Sequence, residues 1–139
     1  MGEVSAVRVP GEGRRDWTMR IAAAVAVVFG LATIRAGGRV LFGVPDAVNA
    51  AGDYVGFVLW FNFLAGFAYV VAGVGFWLRR RWSVRLAVAI AVATLVVFAA
   101  FGLHVATGGA WETRTAAAMT LRSVVWIVLA ALAWRRILR

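Results

Sequence analysis

Six polar side chains stand out in a chain that is 63% hydrophobic and 15% charged: Arg35, Arg39, Asn62, His104, Glu112 and Arg122. Guanidinium groups bind oxyanions by paired hydrogen bonds. An imidazole beside them can take or give a proton. Together with an amide and a carboxylate, the set points to a site for an anionic or quinone-like ligand. It contains no nucleophile-and-base pair and no cluster with metal-ligand spacing, so no residue is assigned as catalytic or as a metal ligand. The chain has no Cys, which removes dithiol redox chemistry, disulfides and iron–sulfur ligation. A single His excludes a haem held by two histidines of the same chain.

These residues must be positioned by apolar helices. The stretch YVGFVLWFNFLAGFAYVVAGVGFWL, residues 54–78, runs about 25 residues without a charge, enough for a ~30 Å hydrocarbon core. Arg79, Arg80 and Arg81 stop it. Inside it, Asn62, Gly66, Tyr69 and Gly73 fall at i, i+4, i+7 and i+11 and share one helical face, suited to close packing on another membrane helix. Three more spans are expected, near 17–40, 84–105 and 115–134. The first has a solid apolar part of only about 14 residues, 21–34, and is extended by Trp17 at one end and by Val40, Leu41 and Phe42 at the other, with Arg35 and Arg39 inside the extension. Gly37 and Gly38 permit a kink or a close approach. In the fourth, Thr115, Met119, Arg122 and Trp126 share a face.

Between the spans, residues 43–53 read as a loop with Pro, Gly and Asx turn residues. Residues 79–85, RRRWSVR, read as a tight basic turn, and 107–112 as a Gly-Gly turn. Residues 1–16 are polar and Gly-rich and read as a flexible cytoplasmic tail, which leaves 17–136 as the membrane domain. Trp17, Trp82, Trp111 and Trp134 stand where an interfacial aromatic belt would be.

The formal charge is +9 and every basic residue is Arg. This is not a nucleic-acid-binding pattern, because the arginines gather at the ends of apolar runs. One level holds Arg8, Arg14, Arg15, Arg20, Arg79, Arg80, Arg81, Arg85, Arg135, Arg136 and Arg139. The other holds Arg35, Arg39 and Arg114, with Arg122 below it. The positive-inside rule then places both termini in the cytoplasm. The fold class expected is all-α: an integral membrane four-helix bundle of the bacterial cytoplasmic (inner) membrane.

Each candidate also has a structural reading. Arg35 and Arg39 could anchor at the interface, His104 could cap helix-end carbonyls, and Asn62 could join helices. Arg122, inside a span, costs roughly 2.5–3.5 kcal/mol at a helix centre. It must face the other helices, find a carboxylate such as Glu112 or Asp53, or snorkel outward.

Arg20, Gly30 and the segment AGGRVLFG at residues 36–43 resemble the DoxX family of small four-helix membrane proteins. There an Arg opens the first helix and a Gly-x-x-Lys-Leu-Phe-Gly segment closes it. AGFAYVVAGVGFWLRRR, residues 65–81, is similar to that family's Gly-rich second span and basic turn, and His104 is similarly placed near the end of the third. The likeness runs from about residue 20 to 134. Arg39 stands where the family has Lys, which keeps the charge and changes the hydrogen-bond geometry. The resemblance implies a membrane subunit of respiratory, quinone-linked or redox-stress assemblies, without an obvious cofactor of its own.

The function expected is therefore an accessory subunit of a redox or quinone-linked membrane complex, with a polar ligand pocket in its outer half and quinone as a possible ligand. Membrane lipids, and either redox-complex subunits or further copies of the chain, are the expected partners. A small transporter and a purely structural or assembly role are the alternatives. A proton-coupled exporter needs a carboxylate inside a span, and none falls there.

Overall fold

The structure, a computed structural model, describes residues 12–138, with side chains from residue 17 onward. The described residues are all helical, without a strand: α1 (Glu12–Leu41), α2 (Pro45–Ala51), α3 (Gly56–Trp77), α4 (Arg81–Ala106) and α5 (Thr113–Ala133), closed by a π-helical turn at Trp134–Leu138. Helices α1, α3, α4 and α5 are each long and apolar enough to cross a membrane. Much of their large apolar surface points outward, as at Leu31, Phe67, Val96 and Ile127.

The boundaries differ from the expectation in three places. Helix α1 begins at Glu12, inside the segment read as a tail; residues 1–11 of that segment lie outside the described residues. Residues 43–53 are not all loop, because Pro45–Ala51 form α2, with Pro45 and Asp46 in its first turn where a fixed φ and a negative charge favour a helix start. The basic turn is shorter than 79–85, since α4 already starts at Arg81.

Local hydrogen bonding explains the sharp ends. Helix α1 closes with Gly43 N–H donating to the Val40 carbonyl (3.1 Å) and Val44 N–H to that of Arg39 (2.9 Å), with Gly43 left-handed at φ 73°. This is the Schellman arrangement, which satisfies the last carbonyls of a helix. Helix α3 ends the same way with Arg79, not Gly, in the left-handed position (φ 54°). Arg79 N–H donates to Phe76 O (3.1 Å) and Arg80 N–H to Gly75 O (2.9 Å). A left-handed non-Gly residue is uncommon. Here it sends the Arg79 Nη2 to the Arg136 carbonyl (3.1 Å), tying the α3–α4 turn to the end of α5. At the same end the Arg20 guanidinium lies over the Trp77 ring, 5.4 Å from its centroid.

Helices α1 and α3 make the most extensive contact. Ala23, Gly30 and Gly37 recur every seventh residue along α1, as do Gly66 and Gly73 along α3. A Cβ built on Gly30 would lie 2.7 Å from the Gly66 carbonyl oxygen, and one on Gly73 would lie 3.0 Å from that of Ala23. The two backbones are therefore in direct contact, which only small residues allow. Gly37 meets Phe63, Gly30 meets Gly66 and Ala23 meets Gly73, so the helices run antiparallel. Helix α3 packs on α4 and α4 on α5, while α1 and α5 barely touch. Tyr69, Phe76, Val84, Ala87, Trp126 and Ala133 fill the main core, and Val55, Val58, Phe101 and Met119 a smaller one.

Replacing Gly30 by Ala would press a methyl group onto a carbonyl that cannot move without its helix. Gly30→Ala is expected to destabilise by about 1–3 kcal/mol, the usual range for overpacking. Gly102→Ala, where a Cβ meets nothing within 4 Å, is expected to be neutral or stabilising by up to about 1 kcal/mol. Thermal melting of the two variants in detergent checks both.

Candidate functional site

The end formed by the C-terminus of α1, α2, the N-terminus of α3 and the N-terminus of α5 holds a cavity of about 330 Å³. The two faces anticipated on α3 and α5 both turn inward here. On α5, Thr115 lines the cavity, Met119 and Trp126 are fully buried, and Arg122 is partly buried at its base. On α3, Asn62 lines the cavity while Gly66, Tyr69 and Gly73 are buried behind it. Tyr69 joins the faces: its ring lies 4.6 Å from that of Trp126 and stacks on Phe29 at 5.7 Å.

Arg122 finds no carboxylate among the described residues. Its Nη1 donates to Thr33 Oγ1 at 2.9 Å, and its guanidinium sits over the Phe29 ring, 5.3 Å from the centroid. A hydrogen bond to a charged group contributes about 1.5–3 kcal/mol. A desolvated cation–π contact contributes about 2 kcal/mol. Together, at about 3.5–5 kcal/mol, these are enough to offset the roughly 2.5–3.5 kcal/mol of placing an arginine in a span. Of the three options, Arg122 takes the first and faces another helix, without Glu112 or Asp53 as partner: the charge is held by a hydroxyl and an aromatic face, both from α1.

Four buried polar atoms at the cavity and behind it have no hydrogen-bond partner: Asn62 Oδ1 and Arg122 Nε on residues that line it, and Tyr69 OH and Trp126 Nε1 on residues that do not. The Arg122 guanidinium and the Thr94 hydroxyl are the polar neighbours of the Tyr69 hydroxyl, and Thr94 Oγ1 already donates to Ile90 O at 2.7 Å. Buried polar groups are normally satisfied, so the two of these that line the cavity, on Asn62 and Arg122, mark a place where a ligand or water would be bound. Arg122 Nε offers an N–H, which suits an acceptor such as a carbonyl or an oxyanion, and Asn62 Oδ1 offers an acceptor. At the mouth stand Arg39 and Arg114, both exposed; Arg114 Nη1 reaches only the Ala50 carbonyl, at 3.5 Å. Three arginines and no carboxylate line the cavity.

The other candidates are placed elsewhere. Arg35 is exposed and does not line the cavity. His104 Nε2 donates to the Ala110 carbonyl at 3.0 Å, and its ring packs edge-on against Phe57. A Cβ on Gly109 would run into that ring, so His104 holds the α4–α5 turn. The Glu112 Oε1 accepts the Asp53 N–H at 2.9 Å and lies against Gly52, joining that turn to the α2–α3 connection. The six residues therefore do not form one site: Arg39, Asn62 and Arg122 share the cavity, and the rest do not. Arg114, Thr33 and the roof supplied by α2 complete it. Arg114 was visible as a charge near a span end, whereas Thr33 sat unmarked in an apolar run.

The chain matches no protein-family model, no curated protein and no solved structure.

With its hydrogen bond to a single carbonyl, His104 has a local part to play. His104→Ala is expected to lower stability by about 0.5–1.5 kcal/mol, read by thermal melting, and to leave ligand retention in the cavity unchanged. A variant that keeps its melting temperature but loses a ligand would overturn this placement.

Proposed function

We propose that this chain is an integral protein of the bacterial cytoplasmic membrane, a four-helix bundle of DoxX-like type with both termini in the cytoplasm. It acts as a non-catalytic accessory subunit of a redox or quinone-linked membrane complex, holding a small ligand in the cavity of its outer half. The observation that carries this reading is the pair of unpartnered polar atoms, on Asn62 and Arg122, at a cavity with arginines at its base and mouth. Such atoms are costly in a structural protein and useful in a binding one. A quinone fits the arginine-lined base, since a carbonyl oxygen would accept from Arg122 Nε; the redox chemistry would be the quinone's own.

The orientation follows from charge. At the end that holds the α3–α4 turn and the end of α5 stand Arg20, Arg79, Arg80, Arg81, Arg85, Arg135 and Arg136, against Arg35, Arg39, Arg114 and Arg122 toward the other end. The positive-inside rule puts the first group in the cytoplasm. Two features weigh against a proton-coupled exporter: the described carboxylates Asp46, Asp53 and Glu112 all lie in connections or helix starts outside the spans, and no carboxylate lines the cavity.

Because the chain has no Cys, a single introduced thiol reports topology without background. In intact cells a membrane-impermeant thiol reagent is expected to label Ala110→Cys, and to reach Arg80→Cys only after lysis; the reverse pattern would invert the orientation. Native mass spectrometry of the protein in mild detergent tests the binding role. A retained mass of quinone or lipid size, lost in Arg39→Ala, is expected. A bare chain under all release energies would leave only a structural role.

A further inference from the structure

A second cavity, about 380 Å³, lies between α1 and α5 and is lined by Ile21, Val25, Val124, Val128 and Leu132 among others, with Thr18 its only polar side chain. The two cavities follow the same pair of helical stripes. On α1, Ala22, Val25, Phe29, Thr33 and Ala36 succeed one another at i+3 or i+4; on α5, Ala118, Arg122, Val125, Leu129 and Leu132 do the same. The upper cavity takes the polar ends of these stripes and the lower one their apolar ends. They lie along one α1–α5 seam, where the two helices make few contacts, and share no lining residue. Arg122 marks the junction, bridging the seam to Thr33 and Phe29 with its Nε still unpartnered.

The seam has the shape and chemistry of an extended amphiphile site. Its head end carries Arg39, Arg114 and Arg122 without a lining carboxylate, which calls for an anion. Its tail end is hydrocarbon throughout. Its length is the discriminating feature. From Arg114 to Leu132 the α5 wall rises about 27 Å, at roughly 1.5 Å per residue. That is nearly the whole ~30 Å hydrocarbon core. An ordinary phospholipid chain occupies one leaflet and would leave the lower groove empty. An isoprenoid chain spans both leaflets.

We propose that the α1–α5 seam binds a long-chain isoprenoid phosphate, its phosphate at Arg39 and Arg114 and its chain running past the lipid side of Arg122 into the lower groove. This rests on the binding role assigned above and narrows its ligand from anionic or quinone-like to the acidic class.

The test is a competition read by native mass spectrometry. The full chain in detergent is offered equal amounts of a polyprenyl phosphate, a menaquinone and a phosphatidylglycerol of ordinary chain length. Polyprenyl phosphate is expected to be retained at least about tenfold more than either, a discrimination well within the reach of charge-assisted contacts. The double variant Arg39→Ala/Arg114→Ala should lose that preference, and Arg35→Ala, which removes a charge off the cavity, should keep it. Val128→Trp, at an exposed position on the groove wall, should weaken polyprenyl phosphate while sparing geranyl phosphate, which does not reach so far. If Val128→Trp does not fold, the arginine variants decide alone. Preference for menaquinone would overturn the acidic head and leave the binding role standing. Equal retention of phosphatidylglycerol would overturn the long chain. Retention of none of the three would overturn both this inference and the binding role.

Discussion

Contact between the backbones of α1 and α3 is the constraint from which the rest follows. Gly30 and Gly66 bring each helix within reach of the other's carbonyl oxygens, and Ala23 and Gly73 repeat the arrangement two turns away. Between lipid-exposed helices there is no gain from hiding apolar surface, so close van der Waals packing must do the joining. Drawing α1 so tightly to one neighbour leaves it little surface for the other. The open α1–α5 seam is the complement of the closed α1–α3 contact.

That asymmetry also accounts for the handling of Arg122. In a symmetric packing a cation on an inward face would need a carboxylate. Here the seam gives it a hydroxyl and an aromatic ring from α1, enough to offset its insertion cost while leaving one N–H free. A carboxylate in the same place would have neutralised the charge and closed the cavity to anions. The charge is held in place and remains available.

How much of this could be read from the sequence depends on what sets each feature. The four long apolar helices were legible, because length and hydrophobicity set them locally. So were the inward faces of α3 and α5, since helical periodicity carries Asn62 with Tyr69, and Arg122 with Trp126. What could not be read was the phase of one helix against another and the path of the turns. Arg35 and Arg39 sit one turn apart, yet only Arg39 lines the cavity, because the α1–α3 contact fixes how α1 is rotated. His104 and Glu112 looked like site residues by their chemistry. Tight turns beside Gly109 and Gly52 commit them to backbone groups instead. Thr33 was invisible because one hydroxyl in an apolar run says nothing until its partner is known. Helix α2 was hidden by turn-forming residues that serve equally well to start a short helix.

The left-handed Arg79 has a mechanical consequence. By reaching the Arg136 carbonyl it clasps the α3–α4 turn to the tail of α5, and the Arg20–Trp77 contact holds α1 to α3 at the same level. At the opposite end α2 lies over the cavity with none of its own residues buried, tied to α5 by the long Arg114 contact and by the Glu112–Asp53 bond just beyond it. Segments with few buried contacts open at the lowest free energy, so the roof formed by α2 is expected to open before the opposite end does. Hydrogen exchange would be slowest where the arginines cluster at the chain ends and fastest across the roof.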